Sequence, residues 1–334
     1  MFKARFFSTP APDSMMDFIA AQLFFGGILP ALVMGIALLI GALIAGKEDR
    51  SDDAPPGVRP WAAASGFGLA FGAGFLALVG APDFLPGNAM HWLFYMALVA
   101  VGVGVIEGIR HTNDGLRAAL RLGLALLTFR LTLGFMVEHH WDGASAWIWL
   151  GGLTLGSNAL MNALDRAAQE RPGAMVPLAM TLMSAGGAAV LVLTGSARVG
   201  QLMGVMTAAA TATLVVAWLR PGLRVSRGGS TVFGLLFSAL LAYGYFTSAD
   251  VPAFADALNH PQTLATLLVA ASPLMLWVSG QNPIKRMTSW RAALASAALV
   301  ATPLAAGLLV AANQSDPPAA AYHHEASSAD APAE

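Results

Sequence analysis

The chain predicts an all-α, polytopic integral membrane helical bundle of about ten transmembrane helices, and three observations carry that expectation. Ten near-uncharged apolar stretches follow one another, basic residues fall in every second gap, and hydrophobic residues are 56% of the 334 while charged ones are 11%. In water that composition leaves too little polar surface to cover a globule. A bilayer core about 30 Å thick is crossed by about 20 helical residues, with every backbone polar group satisfied inside the helix.

In order, the expected spans are Phe18 to Gly46, Trp61 to Gly80, His91 to Ile109, Ala118 to Met136, Ala146 to Asp165, Met175 to Gly195, Gly200 to Leu219, Thr231 to Thr247, Thr263 to Gly280 and Ala292 to Ala312. The eighth is near the lower length limit for crossing. Together they make one transmembrane domain, 18–312, between an N-terminal segment, 1–17, and an acidic tail, 313–334. The tail is rich in Ala, Pro, Ser and acidic residues and buries too little apolar surface to order itself.

Cytoplasmic connections retain positive charge and translocated ones are depleted of it. Lys47, Arg50 and Arg59 lie in the first connection, Arg110 and Arg117 in the third, Arg166 and Arg171 in the fifth, Arg220, Arg224 and Arg227 in the seventh, and Lys285, Arg286 and Arg291 in the ninth. Even-numbered connections hold only Arg198, and the tail has no basic residue. The expectation is a plasma (inner) membrane protein with both termini outside. Lys3 and Arg5 run against that assignment, and a start at Met15 or Met16 would remove both. The apolar run from Phe18 is too long for a cleaved signal peptide and reads as a retained span.

Cysteine is absent, which excludes disulfides, a thiolate nucleophile and zinc-thiolate sites. No cofactor is expected. Thirty-five glycines let helices approach closely in lipid, and Gly68/Gly72, Gly104/Gly108 and Gly152/Gly156 are each four apart on one face. Such pairs support a compact bundle and allow a helix–helix oligomer. Proline interrupts the spans at Pro30, Pro273 and Pro303, the last two in the matching tetrapeptides Ala-Ser-Pro-Leu and Ala-Thr-Pro-Leu. Each removes a helix hydrogen bond; at Pro273 and Pro303 the preceding hydroxyl is expected to satisfy the freed carbonyl, or the two act as hinges.

Charge inside the membrane costs about 2.5–3.5 kcal/mol at mid-bilayer, so an intramembrane ion marks a candidate site. Arg130 is the strongest case, about 18 Å into the fourth span from Ala118, with Glu138 over the same face. On the fifth span Thr154, Asn158, Asn162 and Asp165 share one helical face. Arg130, Thr154, Asn158 and Asn162 are therefore the candidate substrate-binding residues. Glu107, Arg121 and Asp165 continue the polar seam toward the cytoplasm. A planar guanidinium suits a carboxylate or phosphate, so a small anionic solute is the expected substrate. The competing account is a hydrogen-bond and ion-pair network that fastens spans three to five.

Other chemistries find less support. Glu138-His139-His140-Trp141-Asp142 has the composition of a metal cluster, but no spaced helical ligand motif accompanies His139 and His140, and no metal is assigned. There is no G-x-x-x-x-G-K-[ST] loop and no G-x-S-x-G elbow. A net charge of −1 gives no footprint for nucleic acid. The two sets of five spans show no convincing repeat. Three readings remain, in this order: a permease or carrier for a small solute, a non-catalytic structural or assembly subunit of a membrane complex, and a membrane-embedded enzyme acting on lipid at the outer face.

Overall fold

A computed structural model describes residues 20–48, 59–109, 113–170, 173–220, 222–223, 225–248, 260–272, 274–275 and 289–313. The N-terminal segment with Lys3 and Arg5, the residue Pro273, and the tail beyond Asn313 with its two histidines lie outside the described residues. All regular structure among the described residues is helical. A π-helical turn, Phe24–Ile28, leads into α1 (Leu29–Glu48). There follow α2 (Pro60–Leu78), α3 (Ala89–Ile109), α4 (Asp114–Thr132), the short α5 (Gly134–His139), α6 (Gly143–Glu170) and α7 (Met175–Leu193). The chain continues through α8 (Ala197–Leu219), α9 (Gly228–Ser248), α10 (Pro261–Ala271) and α11 (Ser289–Ala312).

Among the described residues, seven helices are long and apolar enough to cross a membrane: Ala20–Ala45, Trp61–Leu78, Ala89–Ile109, Met175–Leu193, Ala197–Leu219, Gly228–Thr247 and Leu294–Ala312. The protein is thus a helical membrane bundle. The other three expected spans, helical where they are described, depart from the requirement for separate reasons. The fourth is split at Leu133, where α4 stops and α5 begins. The fifth becomes the 28-residue α6, long enough but carrying the Thr154-to-Asp165 polar face. The ninth is represented by the 11-residue α10.

Burial explains the architecture. Helix α9 packs against α2, α3, α6, α8 and, less extensively, α4, α7 and α10. In its candidate span 94% of residues are buried, against 33% for the first span. The shortest of the expected spans is therefore the central helix, which touches protein on every side and has no lipid face to match. Its aromatic residues Phe233 and Phe237 stack 6.0 Å apart, and Phe67 of α2 meets Phe233 edge-on. The first span instead exposes Leu32, Ile36, Leu39, Leu43 and other apolar residues along its outer side.

Close approaches are made by glycine. At the start of α9, a Cβ on Gly228 would meet the carbonyl oxygen of Gly104 on α3, and Ala64 of α2 lies 3.0 Å away. Gly68 is pressed by Val101 and Gly72 faces Phe94 at 3.5 Å, so that expected pair packs α2 on α3. Gly152 and Gly156 behave differently, since nothing lies within 4 Å of either Cβ position.

Prolines are accommodated in two ways. Pro30 follows the π-turn directly, and the wider turn takes up the clash that a proline ring makes with the carbonyl four residues earlier. Pro303 sits inside α11, but Thr302 Oγ1 donates to Ala298 O at 2.9 Å, one residue away from the Leu299 carbonyl that proline frees. There the expectation of hydroxyl compensation is not met. Ser272 Oγ does donate, at 2.8 Å, to Val269 O, the carbonyl four residues before position 273, which also accepts from the Ser272 backbone N–H at 3.2 Å.

Replacing Gly228 by alanine is expected to separate α9 from α3 and to lower stability in detergent by about 1–3 kcal/mol, measured by thermal unfolding. Gly102→Ala has open space around it, and the same measurement should find it neutral or stabilising by up to about 1 kcal/mol.

Candidate functional site

The buried charges assemble where α3 ends, α4 begins, α6 ends and α9 begins. Arg121 is fully buried on the second turn of α4. Its Nε donates to Glu107 Oε1 at 3.0 Å and its Nη2 to Glu107 Oε2 at 2.7 Å, a forked pair with α3. Nη1 donates to Asn162 Oδ1 at 2.9 Å, and Nη2 also reaches Asp165 Oδ2 at 3.4 Å, both on α6. Four donor contacts engage a group that carries five N–H bonds. Arg117, one turn earlier, approaches Asp165 Oδ2 at 3.6 Å and pairs with exposed Asp114 at 2.5 Å.

Helix α9 closes this network. Thr231 Oγ1 donates to Glu107 Oε2 at 2.8 Å, and Asp165 Oδ1 accepts from the Arg227 backbone N–H and, at 3.4 Å, from Ser230 Oγ. Arg227 has a positive φ of 61°, a left-handed conformation that turns its amide toward Asp165 just before α9 starts. A carboxylate at a helix N-terminus is also favoured by the helix dipole. Sequence reasoning missed Thr231, Ser230 and Arg227. The available signal was the Ser-Thr pair at the head of the eighth span, which has the composition of a helix cap.

Above the network the same face of α6 changes character. Asn162 and Asp165 are bonded, while Thr154, 7% exposed, has no partner for Oγ1, and Asn158 has none for its buried Oδ1. The Arg121–Asn162 bond sets the antiparallel register of α4 and α6 and brings Thr154 level with the last turns of α4. Thr128 and Thr132 there return their hydroxyls to Leu124 O and Thr128 O at 2.7 and 2.8 Å, so they supply no donor to α6. Gly151, one turn above Thr154, has nothing within 4 Å of its Cβ position.

Arg130 is placed elsewhere. The break at Leu133 puts it in the last turn of α4, where its side chain is 46% exposed and Nη2 meets Glu138 Oε1 at 3.4 Å. Its Nη1 lies over Gly134, whose missing side chain makes room for it. No hydrogen bond joins Arg130 to Thr154. His139 and His140 are exposed beside this pair, and His140 packs edge-on against Phe135. Among the described residues no three His, Cys, Asp or Glu side chains gather as a metal group. Asp142 accepts from the Ser145 N–H at 2.6 Å and caps α6; hydrogen bonds from the Ser145 side chain and backbone hold its carboxyl below the usual carboxylate range.

A second feature is a lateral groove of about 470 Å³ between α6, α9 and α10. Gly152 and Gly156 form its floor on α6, with Trp149, Phe237, Tyr245 and Phe246 around them. Its polar groups are already matched, Ser157 to Ser238 at 2.7 Å and Tyr245 to Thr263 at 2.6 Å. Trp141 and Trp149 stack 6.2 Å apart beside Phe246 at one end.

No family model matches this chain, and no curated protein matches it in sequence.

The two arginines separate sharply in their expected cost. Arg121→Met leaves buried Glu107 without its cation and Asp165 with Arg117 alone, and should destabilise the protein by about 3–5 kcal/mol in detergent melts. Arg130→Ala removes a half-exposed pair and should change the same reading by no more than about 1 kcal/mol.

Proposed function

We propose that this chain is a permease or carrier for a small solute that passes along the seam between α4 and α6. Thr154 and Asn158 carry the reading. Leaving a buried polar group without a partner costs about 1–3 kcal/mol, and native structures keep few such groups unless a ligand or water completes them. Two of them one turn apart on the same helix face support a place where a solute supplies the missing bonds. The ion-pair network lies directly below, so passage toward that end requires Arg121 to part from Asn162 or Asp165. In this scheme Glu107, Arg121 and Asp165 close the basic end, and Arg130 with Glu138 lies at the opposite end.

The surrounding arrangement proposed is a plasma (inner) membrane with ten crossings, counting α4–α5, α6 and α10 with the residues after it, and with both termini outside. Support comes from the alternation of basic connections, together with the convergence of Arg117, Asp165 and Arg227 at one end of the bundle.

An assembly subunit is the second reading. It is favoured by the near-complete engagement of fully buried Arg121, as expected of a fastening network. Exposed His139 and His140 give little support to a lipid-acting enzyme.

Cells overproducing the wild-type chain should differ in their small-solute content from cells overproducing Asn158→Leu or Thr154→Val at equal protein level, measured by mass spectrometry of extracts. Identical profiles at equal level would count against a carrier. Loss of the protein itself on Arg121→Met, with identical profiles for the other two variants, would favour the assembly subunit.

A further inference from the structure

We infer that the site at Thr154 and Asn158 takes a small uncharged solute with N–H or O–H groups, such as an amide or a polyol, and not the anion suggested by Arg130. This rests on the carrier reading and assigns the class of substrate to the same seam.

The charges near the site are spent. In the network Arg117 and Arg121 stand against buried Glu107 and Asp165, and Arg117 also pairs with exposed Asp114. Arg121 directs four contacts at those carboxylates and Asn162. A carboxylate or phosphate arriving one turn above would find neither Arg117 nor Arg121 free to fork onto it. Arg130, in the last turn of α4, is turned onto Glu138 at 3.4 Å and makes no hydrogen bond to Thr154. An arriving cation would fare no better, because both carboxylates already hold arginine. Burying an uncompensated ion costs several kcal/mol, whereas a neutral molecule has only its hydrogen bonds to replace.

The groups left over define the match. The buried Oδ1 of Asn158 accepts a hydrogen bond, and the Thr154 hydroxyl both accepts and donates. The interval from Gly151, where the Cβ position faces open space, to Asn158 is about 10 Å along α6. That length suits a solute of a few heavy atoms. Because both side chains are unpartnered, removing their polarity carries no hydrogen-bond loss within the protein. Thr154→Val and Asn158→Leu should therefore melt at or above the wild-type temperature, which separates a lost site from a lost fold.

The test uses the full chain reconstituted in lipid vesicles, with volume changes followed by stopped-flow light scattering. Urea, formamide and glycerol are the neutral probes; sodium acetate and methylammonium chloride are the charged ones. At least one neutral probe should equilibrate faster than in protein-free vesicles. Asn158→Leu should cut that excess rate about tenfold, the equivalent of about one hydrogen bond, while Thr154→Ser keeps it. If acetate or methylammonium is accelerated and the neutral probes are not, the substrate class is wrong and the carrier reading stands. If no probe exceeds the protein-free rate, both fall. If Asn158→Leu melts normally and retains the full rate, the solute does not use this site and the inference is overturned.

Discussion

The guanidinium of Arg121 stands on α4, grips both oxygens of Glu107 on α3, and reaches Asn162 and Asp165 on α6. The two carboxylates in turn hold the first turn of α9 through Thr231 and the Arg227 amide. Four helix ends are thereby registered against one another by a single cation. In an apolar surround such a network is stable only when nearly every donor and acceptor is used, because an unmatched buried charge is penalised more heavily than the pair is rewarded. That constraint accounts for the arrangement around it, including the close Gly104–Gly228 approach that lets α9 enter beside α3. The strained left-handed Arg227 also belongs to it, since that conformation points an amide at Asp165.

Relative to this anchor, α6 divides into two halves. Its lower half is saturated and its upper half, at Thr154 and Asn158, is not. On the opposite face the same helix presents Gly152 and Gly156 to the lateral groove. Helix α6 therefore has two unlike surfaces, one polar and interior, the other small and apolar. This also explains why a 28-residue helix falls short of the hydropathy of its neighbours. The polar face that lowers its apolar character is the face that meets α4.

Much of the candidate site was legible in the sequence. Spacings of four, four and three put Thr154, Asn158, Asn162 and Asp165 on one face, and the seam residues Glu107, Arg121 and Asp165 meet at one end of it. Counting from Ala118 puts Arg130 about 18 Å into its span. The break at Leu133 ends α4 at Thr132, so this arginine stands in the last turn of that helix, beside Glu138. Arg121 was read as part of a seam, yet it is the residue that organises it. Its importance depends on the fork to Glu107, which joins residues 14 apart across a connection and follows no helical spacing.

Composition and periodicity alone determined that the chain forms apolar helices for a membrane, roughly where those helices lie, and which connections carry positive charge, because backbone satisfaction in hydrocarbon leaves so few alternatives. They also determined which polar residues share a helix face, since that follows from 3.6 residues per turn. Tertiary structure decided which helix is central, which arginine is buried and paired, and which glycines meet a neighbour or line a groove. Those outcomes depend on contacts between residues distant in the chain, such as Thr231 with Glu107, 124 positions apart, and lateral packing in lipid leaves only a faint trace in hydropathy because both neighbours of a helix, protein and lipid, are apolar.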